Sequence, residues 1–336
     1  MATPETSVPA AVRALAEADF SAVAGRFADA GFAVALPAEG ILQVKAAGAE
    51  GGIARASVLL SVGVHGDETA PIEVLAHLLD ALARQPGALA VDLMLCVGNL
   101  AAIRQGRRFI DADLNRMFRA DRGALGSALE AARADVLIAA TQAFFAGAGP
   151  RRWHLDLHTA IRPSLYPTFA IVPELIAVEG KAALIAWLGQ AAIGAIIMNP
   201  ASAGTYSHYS AQHCGAAAST VELGRVGTLG RNDLSLFAAV TLALDGLLRG
   251  AAPAPDPARV APHVFTVAQE IIKLSDDLRM AFDGNTPNFT ALPAGALIAS
   301  DGATLYTVKH AEELVVFPNP DVRVGLRAGL MVVRQA

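Results

Sequence analysis

The run Ala56-Ser-Val-Leu-Leu-Ser-Val-Gly-Val64 carries no charge and leads straight into His65-Gly-Asp-Glu68, with Pro71 close behind. A nearly continuous apolar run bounded by a turn reads as a strand buried on both faces, as in an α/β sheet covered by helices on either side. Pro71 suits the first turn of a helix, where its missing N–H would be unpaired anyway. Ile72, Leu75, Leu78, Leu79 and Leu82 then continue an apolar stripe. Strand, turn and helix in this order place His65 at the carboxyl end of a central strand, where open α/β sheets bind their ligands.

His65 and Glu68 are separated by two residues, so one tight turn could aim both at a single metal ion. An open zinc site needs one more ligand, usually a histidine, and leaves a position for water. Trp153-His-Leu-Asp-Leu-His158 supplies a second strand ending in such a residue, His158. Taken alone, His-x-x-Glu is unspecific: a satisfied strand-end histidine and a glutamate complementing a helix N-terminus give the same pattern.

The α/β alternation extends along most of the chain. Val12, Leu15, Phe20, Val23 and Phe27 fall at helical spacing and predict one or two leading helices over residues 10–30. A strand pair is expected around 40–45 and 54–64, then a strand at 91–97, a polar arginine-rich loop at 104–116 and a helix over 125–146. Further on come strands near 168–172 and 193–198 flanking a helix over 174–188, a glycine-, serine- and tyrosine-rich loop reaching Ala217, and a strand at 219–223. Asn232 can cap the helix through Leu236, Phe237, Val240, Leu244 and Leu247. At 251–262 a proline-rich stretch reads as a linker. Beyond it, short alternating runs between Asp-Gly and proline turns predict a small β domain over 263–336. The α/β part is thus expected over 1–250.

Composition excludes several classes. With 54% hydrophobic residues and 17% charged ones, the chain has ample core material and is not a disordered one. A formal net charge of −5 offers no basic footprint for nucleic acid. Its two cysteines, Cys96 and Cys214, make no disulfide framework and fit a reducing compartment. Cys96, inside an apolar run, reads as a buried structural thiol. Neither a signal peptide nor a membrane span is evident, so a cytoplasmic enzyme without a membrane partner is expected.

His65-Gly-Asp-Glu68, Arg108-Phe-Ile-Asp-Ala-Asp-Leu-Asn-Arg-Met-Phe118, Asp156-Leu-His-Thr-Ala-Ile-Arg162 and Val221-Glu-Leu-Gly224 resemble, in order and spacing, the succinylglutamate desuccinylase and aspartoacylase family of zinc carboxypeptidase-like hydrolases. Arg231-Asn-Asp-Leu234, Phe317-Pro-Asn-Pro320 and Gly325-Leu-Arg-Ala-Gly-Leu330 extend the resemblance over nearly the whole chain. It implies an α/β fold with a mixed central sheet flanked by helices and a small C-terminal β domain. It also implies one zinc ion per chain held by His65, Glu68 and His158, with Glu222 as general base and proton shuttle. Arg108 would face the scissile carbonyl, Asn115 and Arg116 would grip a substrate carboxylate, and Asp113 would stand behind a ligand histidine. The implied substrate is a small anionic N-acyl amino acid, N-succinyl-L-glutamate first, in arginine catabolism. An aspartoacylase-like deacylase of another N-acyl amino acid and a non-catalytic metal- or ligand-binding module are the alternatives.

Two positions depart from the family pattern. Gln212 stands ten residues before Glu222, where relatives commonly carry a substrate-binding arginine. An amide cannot neutralise a carboxylate, so either Arg162, Arg225 or a residue of the C-terminal tail compensates, with Tyr206 and Gln212 itself as neutral donors, or the acyl specificity differs. Asp67, where relatives often have asparagine, adds negative charge beside the metal ligands. His154 shares a strand face with Asp156 and His158 and is expected to be structural.

Overall fold

The structure, a computed structural model, describes residues 8–46, 55–251, 260–283 and 285–335. The linker expected at 251–262 falls mainly on 252–259, outside the described residues. In chain order the elements are α1 (Ala10–Ala16), α2 (Ser21–Asp29), β1 (Phe32–Ala38), β2 (Ile41–Ala46), β3 (Ser57–Val62), α3 (Thr69–Ala83), β4 (Asp92–Val97), α4 (Leu100–Gln105) and α5 (Glu130–Ala146). They continue with β5 (Arg152–Ala160), β6 (Thr168–Pro173), α6 (Val178–Gln190), β7 (Ala195–Asn199), α7 (Tyr206–Cys214), β8 (Ala217–Arg225) and α8 (Ala238–Arg249). The C-terminal part is all strand: β9 (His263–Ile272), β10 (Arg279–Met280), β11 (Thr290–Pro293), β12 (Leu297–Asp301), β13 (Thr304–Thr307), β14 (Glu312–Val316) and β15 (Arg327–Arg334).

One 12-stranded mixed sheet runs in the order β1-β2-β4-β3-β5-β8-β6-β7-β9-β15-β14-β11. Every residue of β3 is buried, as its apolar run predicts. It lies between β4 and β5, parallel to both. The expected pairing of 40–45 with 54–64 does not form: β2 pairs instead with β4 and with β1, a strand the sequence reading missed. Three parallel pairings, β3 with β4, β3 with β5 and β5 with β8, align the carboxyl ends of these strands along one edge.

The C-terminal strands do not stand apart from the central sheet. β9 pairs in parallel with β7, so the sheet continues into the β-rich C-terminal part, which adds a three-stranded sheet, β10-β12-β13. Phe169, Ala195 and Ile197 of the central strands share one apolar cluster with Phe265, Phe289, Leu330 and Val332. Burial of that seam ties the two parts together at about 25 cal/mol per Å² of apolar surface removed from water.

Three smaller expectations change. Asn232 is not a cap: Asp233 accepts the N–H of Ser235 at the turn before α8, and Asn232 Nδ2 donates to Thr69 Oγ1 and Glu73 Oε1. Helix α4 interrupts the stretch from Gly98 into the arginine-rich loop, capped by Asn99, whose side chain accepts from the N–H of Ala102. The expected loop before Ala217 contains α7. No helix among the described residues is long and apolar enough to cross a membrane.

Candidate active site

At the carboxyl end of β3 the chain turns sharply through His65-Gly-Asp-Glu68 into α3. Gly66 is required there, because a Cβ would lie 2.2 Å from the carbonyl carbon of Ala102 in α4. The turn buries both His65 and Glu68, and β5 brings in a buried His158 from the neighbouring strand. His65 Nδ1 lies 2.7 Å from Glu68 Oε1, and His158 Nδ1 lies 2.9 Å from Glu68 Oε2 and 3.2 Å from His65 Nδ1. The ligand atoms of these three residues all lie within 4.8 Å of one another, so the cluster could hold a metal ion.

Each histidine has a carboxylate on its far nitrogen. Asp113 Oδ1 is 2.9 Å from His65 Nε2, and Asp156 Oδ2 is 2.9 Å from His158 Nε2. This arrangement fixes the ring tautomer so that Nδ1 of both rings faces the common centre. The chain of contacts runs on, with Ser61 Oγ donating to Asp156 Oδ1 at 2.5 Å and lying 2.8 Å from His154 Nε2, and His154 Nδ1 lying 2.6 Å from Ser210 Oγ. Burial pushes His154 down to about 4, so it is a neutral link in this network.

The electrostatics favour a cation at the centre. Burial opposes charge on His158, but Asp156 and Glu68 outweigh it and raise its pKa well above 6.5. Burial likewise opposes the charge of Glu68, yet His65 and His158 hold its carboxyl well below 4.5. Thr159 N–H also donates to Glu68 Oε2 at 3.0 Å.

Glu222 pairs directly with His158 across β5 and β8, so both side chains share a face of the sheet. It is buried, and its Oε2 has no hydrogen-bond partner among the described residues. Burial, then the nearby charge of Glu68, push its carboxyl up to about 7. A buried carboxylate with a free oxygen beside two histidines is poised to take and return a proton. Arg108 Nη1 donates to Glu68 Oε1 at 2.8 Å, which brings a guanidinium to the same centre.

Arg108 and Asp113 sit on a loop without regular structure, and Glu130 at the start of α5 holds that loop in place. Its carboxylate accepts the N–H groups of Ile110, Asp111 and Ala112 at 2.7, 3.1 and 3.0 Å. Further along, Asp113 Oδ1 accepts from Asn115 N–H at 2.8 Å. Asn115 Oδ1 accepts the Tyr206 N–H, and Arg116 Nη1 donates to the Asn115 carbonyl.

The remaining expected contacts separate. Arg162, just past β5, donates to the Asp283 carbonyl in the C-terminal part. Tyr206 is not available to a substrate: its side chain is fully buried, stacked on Phe118, with its hydroxyl 2.6 Å from Thr141 Oγ1. Gln212 lies near the C-terminus of α7, which feeds into β8 at Ala217, the residue facing Trp153 at the start of β5. Glu222 is five strand residues further on, about 17 Å at roughly 3.3 Å per residue, so Gln212 belongs to the opposite end of the sheet.

Residues 54–248 match the succinylglutamate desuccinylase/aspartoacylase catalytic domain, and residues 260–335 match the AstE/AspA barrel-sandwich hybrid domain. A succinylglutamate desuccinylase of Burkholderia orbicola is 46% identical over 88% of this chain and 86% of its own. The chain belongs to the succinylglutamate desuccinylase/aspartoacylase family. Solved structures agree: the succinylglutamate desuccinylase of Vibrio cholerae superposes with a TM-score of 0.84 at 34% identity, covering 91% of this chain and 88% of its own. That of Chromobacterium violaceum has a TM-score of 0.77 at 35% identity, covering 94% and 98%.

In this family member, two contributors to the site went unread in the sequence. Asp156 was visible as Asp-x-His on one strand face, a spacing that puts the carboxylate beside the ring of its own neighbour. Glu130 left no such signal, because its partners are backbone groups some 20 residues away.

Proposed function

We propose that the protein is a zinc-dependent amide hydrolase that cleaves N-succinyl-L-glutamate to succinate and L-glutamate. The register of β5 and β8, which seats Glu222 beside His158, carries the reaction type. The substrate rests on the relatives named succinylglutamate desuccinylase, at up to 47% identity.

His65 Nδ1, Glu68 and His158 Nδ1 would hold the zinc, a donor set of two imidazoles and one carboxylate that suits this metal. When bound, zinc supplies a Lewis acid that polarises the scissile carbonyl and lowers the pKa of water. Asp113 and Asp156 orient the two rings. Glu222 Oε2, free of other partners, takes a proton from the attacking water and passes it to the leaving amine. Arg108 supplies a fixed positive charge for the developing oxyanion, and Arg116 with Asn115 meets a substrate carboxylate. Two free, buried cysteines suit a cytoplasmic setting, and a place in arginine catabolism follows from the same substrate.

The test is a comparison of kcat/KM for N-succinylglutamate, N-acetylaspartate and N-acetylglutamate with zinc-loaded protein. A clear preference for the succinyl compound is expected. Faster cleavage of either acetyl compound would favour an aspartoacylase-like deacylase, and no cleavage of any would favour a binding module.

A further inference from the structure

Ser61 interrupts the apolar run of β3, and its side chain is fully buried. A buried hydroxyl is costly unless it is bonded, and this one finds two partners on the neighbouring strand. Ser61 sits directly beside Asp156 in the register of β3 with β5, and His154 lies two residues back on the same face. Its Oγ is 2.5 Å from Asp156 Oδ1 and 2.8 Å from His154 Nε2. Apart from His158, Ser61 makes the only hydrogen bond to the Asp156 carboxylate among the described residues.

Counting hydrogens gives these contacts a direction. A hydroxyl has one hydrogen, and Ser61 gives its own to Asp156, which as a carboxylate only accepts. Ser61 can then only accept from His154, so the single ring hydrogen of this neutral imidazole lies on Nε2. His154 Nδ1 is left as an acceptor and takes the hydrogen of Ser210 Oγ, 2.6 Å away on α7. The Ser207 carbonyl is a second acceptor for Ser210 at 3.0 Å, but the shorter contact and the tautomer both select His154. Donation therefore runs one way, from α7 through His154 and Ser61 to Asp156, whose other oxygen takes the Nε2 hydrogen of His158. All four side chains are fully buried, so solvent does not compete for any link. The other histidine is held differently: Asp113, behind His65, is partly exposed and takes an N–H of its own loop, that of Asn115.

We propose that Ser61 is a positioning residue for the metal: oriented by His154 and Ser210, its hydroxyl fixes the plane of the Asp156 carboxylate and thereby the aim of His158 Nδ1 at the ion. The inference rests on the zinc reading of the site and is independent of which substrate is cleaved. It gives the polar face of α7 a task at the metal centre.

The experiment measures zinc dissociation constants by chelator competition for wild type, Ser61→Ala, Asp156→Ala and the double variant, with urea unfolding of the zinc-free proteins alongside. Ser61→Ala is expected to weaken zinc binding about 3- to 10-fold, less than the loss of about 10- to 100-fold for removing the carboxylate itself. In the Asp156→Ala background the same substitution should change affinity less than about 2-fold, because the two residues act through one contact. Unchanged zinc affinity in Ser61→Ala, with only stability lowered, would overturn the proposal, since a merely structural serine predicts that pattern. An equal loss of affinity in both backgrounds would overturn it too. The tautomer needs no variant and serves if Ser61→Ala does not fold. Long-range proton–nitrogen correlation spectra of wild type should show His154 protonated on Nε2 alone. A hydrogen on Nδ1 would overturn the chain, because Ser61 would then have to give its hydrogen to His154 instead of Asp156. Wild type that binds no stoichiometric zinc would defeat the zinc reading together with the proposal, whereas zinc-binding wild type with an unaffected Ser61→Ala defeats the positioning role alone.

Discussion

Asp156 stands behind His158 on the same strand face, with Oδ2 2.9 Å from the ring Nε2, and so determines which nitrogen His158 turns toward Glu68. Removing it should disturb the metal centre without touching a ligand. Asp156→Ala is expected to lower zinc affinity about 10- to 100-fold, the usual cost of losing a carboxylate behind a ligand histidine. His65→Ala and His158→Ala should go further and abolish stoichiometric zinc. Metal analysis of the purified variants, with a competing chelator to grade affinity, checks both. Full occupancy in both histidine variants would show that the ion binds elsewhere.

Glu222 separates base from ligand. Glu222→Gln preserves shape and should keep both zinc and fold, while turnover falls about 10²- to 10⁴-fold for a missing general base. The pH profile carries an independent sign. The deprotonated carboxylate is the active form, and burial raises its pKa to about 7, while a nearby cation would draw it lower. The rate kcat/KM should therefore fall as pH drops through about 7 or below, and this acid limb should be missing from the residual activity of Glu222→Gln. An unchanged limb would assign it to another group.

Much of this architecture was legible because the signals are local. The apolar run into His65 specified a buried strand and the turn after it, and β5 was marked by the alternating stretch Trp153-His-Leu-Asp-Leu-His158. What escaped reading depended on distant partners. Helix α7 is built from Tyr-Ser-His-Tyr-Ser-Ala-Gln-His-Cys, with little apolar periodicity, and its buried face is secured by polar contacts such as Ser207 with Thr220 and Ser210 with His154. Its ends were marked, by Thr205 as N-cap and Gly215 in the left-handed region at the C-cap, but such marks are weak without a hydrophobic stripe. Gln212 was placed near the substrate by its position ten residues before Glu222, where relatives commonly carry a substrate-binding arginine, in a stretch read as a loop. A helix reverses that geometry.

The Glu130 clamp predicts coupling between a buried carboxylate and catalysis. Glu130→Ala would leave the N–H groups of Ile110, Asp111 and Ala112 without their acceptor, costing on the order of 3 kcal/mol if they stay buried. Activity should fall as well, because the loop carries Arg108 and Asp113. Burial opposes the Glu130 charge, but the three backbone donors outweigh it and hold the carboxyl below its ordinary 4.5. Its contribution is thus fully present above about 4.5 and lost as pH falls through the lower folded value. Urea unfolding at pH 7 and pH 4 should show a smaller gap between wild type and variant at the lower pH. Equal gaps would mean the carboxylate is not the source of the stability.

Gln212 and Tyr206 offer the sharpest contrast between sequence spacing and three-dimensional placement. If Gln212 lies at the opposite end of the sheet from Glu222, Gln212→Ala should leave kcat/KM for N-succinylglutamate within about 2-fold of wild type, and Gln212→Arg should not improve it. Tyr206→Phe removes a buried hydroxyl bonded to Thr141 and beside Cys96. It should lower stability by about 1 kcal/mol, as for one net hydrogen bond, while KM stays unchanged because no substrate reaches that hydroxyl. Denaturation and steady-state kinetics on the same preparations separate the two effects. A KM raised tenfold or more by either substitution, with stability intact, would return that side chain to the substrate pocket.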